Sequence, residues 1–187
     1  MSCNIAAGRK TACKKGLGGQ SFLYLFDKPV DTESFTLSAD FSTTAGVNLA
    51  ADSVFAFPLE GDNNSLEQSM VGDRNTGTRV NTQTLVASLK RMDAASHAQL
   101  NLLVAGYPQA VVVDRLGNHH VLGFDDGIDF TVVASTGSAK ADMNGYTLTG
   151  VATEPFLGPI LSETDASSGD VFDFLAKVDV DNDIDPA

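Results

Sequence analysis

Four aspartates stand at alternate positions in "DVDNDID": Asp179, Asp181, Asp183 and Asp185. Carboxylates at that spacing open a calcium loop, which also requires glycine at its sixth position and a bidentate glutamate at its twelfth. The sixth position here is Ile184, so the run reads as a solvated acidic segment. "GLGG" at 16–19 follows Lys14 and Lys15. A phosphate-binding loop needs GxxxxGK[ST], and a dinucleotide fold needs GxGxxG between a strand and a helix; neither pattern is met.

Three histidines occur, His97, His119 and His120, with no HExxH or HxH spacing to hold a metal. His97 falls on the polar part of a helix, and His119 and His120 sit beside a hairpin turn on opposite faces. Cys3 and Cys13 are too far apart for a CxxC redox pair or half a zinc site. No GxSxG elbow presents a serine nucleophile. Asp125 and Asp126 belong to a turn, where aspartate bonds its own backbone. Sugar hydrolysis requires two carboxylates across a cleft, and a chain with no tryptophan and three tyrosines offers little aromatic platform for a sugar. No residue is therefore assigned a catalytic, cofactor-binding or metal-binding role, and the chain is not expected to be an enzyme.

The elements that position these residues are mostly strands. "SFLYLFD" (21–27) is a short apolar run closed by Lys28-Pro29. "ESFTLSADF" (33–41) alternates Phe35, Leu37, Ala39 and Phe41 with polar residues. "SVFAFPL" (53–59) is a strand that Pro58 confines to an edge or an end. Residues 65–71 form a strand, "GDRNTG" (72–77) a turn, and "TRVNTQTLVASLKR" (78–91) a long strand, with a helix as the alternative. This long hairpin is polar on one face, which suits an aqueous passage better than a core. Arg74 and Arg79 are expected on that wall, offset by Glu67 and Asp73.

"DAASHAQLNLLVAG" (93–106) is the one helix, spanning 93–105 and capped by Asp93 or Ser96. Ala95, Ala98, Leu102 and Ala105 share a face with Leu103 close by, and Gly106 and Pro108 stop it. "AVVVD" (110–114), "RLGN" (115–118) and "HHVLGF" (119–124) make a hairpin. "IDFTVVAST" (128–136) leads through Gly137, Asp142, Asn144 and Gly145 into a last strand, 146–154. There Tyr146, Leu148, Gly150 and Ala152 alternate with Thr147, Thr149, Val151 and Thr153.

At 187 residues, with 43% hydrophobic and 19% charged content, the chain suits one globular domain. No run of about 18 apolar residues predicts a membrane span, and the N-terminus lacks the apolar stretch of a secretory signal. Two thiols in such a chain suggest synthesis in a reducing compartment. The net charge of −12 is uneven. Residues 1–28 carry five bases (Arg9, Lys10, Lys14, Lys15, Lys28) against Asp27, whereas seven bases meet 23 acids beyond them. The acidic body opposes tight nucleic-acid binding, and the basic arm is suited to dock on an acidic neighbour.

Taken together, the helix at 93–105, "VVVDRLGNHHVLG", "GIDFTVVASTG" and "DMNGYTLTGVATEP" resemble the tail-tube-like virion proteins of tailed bacteriophages. The likeness is to the ring and connector proteins between capsid and tail in podovirus-type particles such as the crAss-like phages. "CNIAAGRKTACKKGLGG" before a short apolar strand is similar to the start of such proteins, and the resemblance covers most of residues 1–160. It implies a mainly β (α+β) fold: a β-sandwich or flattened barrel over 21–160 with one flanking helix. An extended arm at 1–20 and an acidic extension at 161–187 complete it. It further implies a structural virion protein of the neck or tail, assembled in the host cytoplasm. Copies would close into a six-fold or twelve-fold ring, meet adjacent rings, portal or tail proteins, and line a channel through which DNA passes without specific binding. No membrane contact and no cofactor are implied. The alternative is a monomeric β-sandwich binding module for host attachment or capsid decoration, which would display an exposed apolar or aromatic site.

Overall fold

A computed structural model describes residues 16–27 and 54–161 in full and the backbone of 35–37 and 43–47. The expectations placed on the basic residues of 1–15, on Cys3 and Cys13, on much of 33–41 and on 162–187 lie outside the described residues. The elements in chain order are β1 (Gln20–Phe26), β2 (Phe35–Leu37), β3 (Thr43–Val47), β4 (Phe55–Pro58), β5 (Ser65–Asp73) and β6 (Thr78–Lys90). They continue with α1 (Ala94–Ala105), β7 (Gln109–Asp114), β8 (His119–Leu122), β9 (Asp129–Ser135), β10 (Gly145–Glu154) and β11 (Ile160–Leu161). The protein is mainly β.

The strands form two sheets, one ordered β2-β3-β11-β8-β7-β1-β4 and the other β5-β6-β10-β9. All pairings are antiparallel except β11 with β3. β4 is an edge strand and Pro58 is its last residue, as a residue without a donor N–H requires. β1 from Leu23 onward and most of β7 sit inside the larger sheet and are buried on both faces, which explains their unbroken apolar runs.

The two sheets share one core. Leu23 and Leu25 of β1, Ala110 and Val112 of β7, Leu85 and Ala87 of β6, Phe130 of β9, and Tyr146 and Leu148 of β10 belong to a single buried cluster. Tyr24, Phe26, Val111, Val113, Val121 and Leu161 form a second cluster on the other face of the larger sheet. The expected strand 65–71 and strand 78–91 are a true hairpin, and the helical alternative for 78–91 is excluded.

α1 begins where Asp93 accepts a hydrogen bond from the Ser96 backbone N–H at 2.7 Å, which settles the choice of cap. It packs with a different side than its apolar stripe suggests. Leu100 is buried and Leu103 half-buried, while Ala95, Ala98, Leu102 and Ala105 face solvent. Gly106 ends the helix in extended backbone instead of a left-handed turn, its N–H donating to the Leu102 carbonyl. Gly127, at φ +83°, closes the turn before β9 against the Tyr107 carbonyl, where a Cβ has no room.

Candidate functional site

The four-stranded sheet has two chemically different faces, and strand parity assigns every residue. On β10, even-numbered positions from Tyr146 to Glu154 are buried and the odd-numbered ones are half-buried or exposed. The cross-strand register carries that division through the sheet. The outward rows, read from β9 through β10 and β6 to β5, begin with Ser135–Gly145–Lys90 and then Val133–Thr147–Ser88. Next come Thr131–Thr149–Val86–Ser65 and Asp129–Val151–Thr84–Glu67. Thr153–Thr82–Ser69 follows, then the pairs Val80–Val71 and Thr78–Asp73 on β6 and β5 alone.

Within these rows there is no arginine or aromatic ring, and the one base is Lys90 in the end row. Hydroxyls and short β-branched chains fill the face, and its charges are the carboxylates of Asp129, Glu67 and Asp73 and, at one end, the Lys90 ammonium. Lys90 is held by Glu60 at 2.9 Å, and that contact keeps the Glu60 carboxyl below its ordinary value.

The expected offset of Glu67 and Asp73 by two arginines is not what the fold builds. Arg79 pairs with Gly72, so it projects to the opposite face, where its Nε donates to the Pro155 carbonyl at 2.7 Å. Arg74 lies in the turn beyond the rows. The outward face is therefore more anionic than the sequence pattern suggested.

The inner face is apolar toward one end and polar toward the other. Gln68, Asn81, Gln83 and Glu154 line the polar end and hold loops. Gln68 accepts from the Gly158 N–H at 2.7 Å, and Asn81 donates to the Phe156 carbonyl at 2.9 Å. Gln83 accepts from the Gly123 N–H at 3.1 Å, and both Glu154 oxygens accept from the Asp125 N–H. Sequence reasoning assigned these residues no role. The signal was available, because Asn81 and Gln83 continue the period-two series of Leu85, Ala87 and Leu89.

The histidines are dispersed. Nδ1 of His97 lies 2.7 Å from the Tyr146 hydroxyl, tying α1 to β10. His119 and His120 alternate along β8, and His120 Nε2 approaches Asp114 at 3.3 Å. Asp114 organises the β7–β8 turn, accepting from the Leu116 and Asn118 backbone N–H groups and from the Asn118 side chain. Burial works to raise its pKa, but these bonds and His120 outweigh it and hold the carboxyl below its usual value. Asp125 and Asp126 lie in a turn before β9, and residues 16–19 are exposed without regular structure. Among the described residues no group of three or more histidine, cysteine or acidic side chains is placed to hold a metal ion. Among the described residues no helix is long and apolar enough to cross a membrane.

No protein-family model matches the chain, and neither does any curated protein or solved structure.

Proposed function

We propose that this chain is a structural virion protein of a tailed phage, in a tail-tube-like fold. Copies close into a ring in the neck or tail, and the outward face of β5-β6-β10-β9 lines the channel for DNA. The observation that carries the reading is that face: hydroxyls, short aliphatics and three carboxylates, with a single base, Lys90, in the end row and paired with Glu60. A wall of this kind hydrogen-bonds water and repels phosphate, so a polyanion slides along it without lodging.

The sheet order supports closure. Both edges, β5 and β9, are unpaired within the described fold, and exposed edges call for a partner. Four strands alternate in direction, so β5 and β9 run oppositely. Rotating copies about one axis then sets β5 beside the next copy's β9 as an antiparallel pair, and the sheet continues without a break. Under this reading the chain has no catalytic role, and its partners are its own copies and the rings above and below.

The test is electron microscopy of the purified full chain, or of complexes extracted from particles. Closed rings with a central hole are expected; a compact monomer at every concentration contradicts the reading.

A second reading draws on α1. Leu102 on α1 is 68% and Tyr107, just beyond it, 64% exposed, and exposed apolar side chains of this kind suit a monomeric attachment or decoration module. Saturable binding to cells or glycans by a protein that never forms rings, lost on Tyr107→Ser, would favour it.

A further inference from the structure

The β5–β6 hairpin outruns its own sheet. β10 pairs with β6 only as far as Glu154 opposite Asn81, so over Thr78–Val80 β6 has β5 alone beside it. Every residue from Ser69 to Val80 is exposed, on both faces of the ribbon. Met70, Val71 and Val80 are among them, at 41%, 64% and 41% exposure. A two-stranded ribbon in water is marginal, yet this one is built stiffly. Asp73 accepts from the Asn75 N–H at 2.7 Å, and its carbonyl accepts from the Gly77 N–H at 2.9 Å. At the base, Arg79 and Asn81 clamp the carbonyls of Pro155 and Phe156. A preorganised arm with apolar residues on both sides is suited to bury them against a partner.

We infer that the ribbon 69–80 is a clasp that docks on a second copy of this chain, along β9 and the acidic turn before it. This rests on the assembly reading above for the identity of the partner. Charge complementarity selects the surface. The chain carries a net −12, but the ribbon bears Arg74 and Arg79 against Asp73 alone. On the partner, Asp126 and Asp129 are exposed at the start of the free edge β9. Antiparallel docking of β5 on β9 necessarily brings the end of β5, and the turn holding Arg74, to the start of β9 and the Asp126 turn.

The register follows from like charges. Glu67 and Asp129 occupy the same row on opposite edges. Docking at equal height would set them side by side, which is unfavourable. Sliding the partner toward the ribbon separates them and moves Asp126 toward Arg74, and a closed sheet requires such a stagger in any case.

The experiment places a photo-crosslinking amino acid at Val71 in the purified full chain. Crosslinks between two copies that map to residues 123–131 are expected. No crosslink, a crosslink within one chain, or one mapping elsewhere overturns the inference. In parallel, Arg74→Glu should weaken self-association about fivefold at low salt, as loss of a partly exposed ion pair does, and Asp126→Arg in the same chain should restore it. Failure of restoration in chains with native circular dichroism counts against the pairing. Porous rings whose ribbon crosslinks elsewhere would remove the clasp and leave the channel reading. Clasped copies that enclose no pore would do the reverse.

Discussion

The hydroxyl of Tyr146 on β10 lies 2.7 Å from Nδ1 of His97 on α1 and 3.1 Å from the Asp93 carbonyl. The two rings also meet edge to face, 5.3 Å between centroids. One buried phenol thus fixes the helix N-terminus against the four-stranded sheet, with its polar end satisfied where the ring leaves the core. Tyr146→Phe keeps the ring and removes the bond, so a loss of about 1 kcal/mol is expected. Tyr146→Ala also opens a cavity and should cost about 3–5 kcal/mol. Urea unfolding of both variants checks the order; equal and negligible effects would mean that the latch contributes nothing.

A methyl group at Gly145 would run into the Leu89 carbonyl oxygen of the neighbouring strand. The position is the first residue of β10, opposite Lys90 of β6. Because backbone, not a flexible side chain, occupies the space, the strand pair must part. Gly145→Ala should destabilise by about 1–3 kcal/mol. Gly72→Ala, at a position with nothing within 4 Å of the added atom, should change stability by less than about 0.5 kcal/mol. Thermal unfolding of the pair makes the comparison.

Acid should weaken the fold through its turn and cap carboxylates. Asp93 is held below its usual pKa by the Ser96 backbone and hydroxyl, and Asp142 by the Ala139 and Ser138 backbone N–H groups and the Ser138 hydroxyl. Asp114 is held down by the bonds described above. A depressed carboxyl contributes stability that is present above its unfolded-state pKa of about 3.9 and is lost as pH falls through the lower folded value. Stability should therefore be level near neutrality and fall below about pH 4. Asp114→Asn should show a shallower fall in urea titrations from neutral to acid pH. An unchanged slope would remove Asp114 from the account.

Positive charge introduced on the outward sheet face separates its role from its folding. Thr84 and Thr149 lie on β6 and β10 with half-buried side chains in the middle of that face. Replacing both by arginine gives each copy two bases in the middle of the face, where the native rows hold none. Native circular dichroism and unchanged oligomeric state are expected, together with retention of DNA that weakens steeply as salt rises. Equal behaviour toward DNA in both forms would mean that the face does not meet the polyanion.

Much of this layout is legible in the residues. The alternation of Tyr146, Leu148 and Ala152 with Thr147, Thr149 and Thr153 assigns the faces of β10, and Pro58 announces an edge. Asp93 marks the helix start. What escaped has physical causes. β3 and β11 are short, and β11, at two residues, carries no periodicity. α1 bears no charged residue, and both the Leu100–Leu103 side and the Ala98–Leu102 side are apolar. Spacing alone cannot then choose the buried side. The face of Arg79 depends on its pairing with Gly72, and that register is set by the turn and by contacts far apart in the chain. The order of strands within each sheet is likewise long-range.

The central claim is that the hydroxylic, anionic face of the four-stranded sheet bounds a shared pore. A cryo-electron-microscopy map of the assembled protein tests it most directly. The account predicts a closed ring whose inner wall is β5, β6, β10 and β9, with Thr82, Thr84, Thr149 and Thr153 at the water-filled lumen. A map with no enclosed pore, or with those threonines on the outer perimeter, would contradict it.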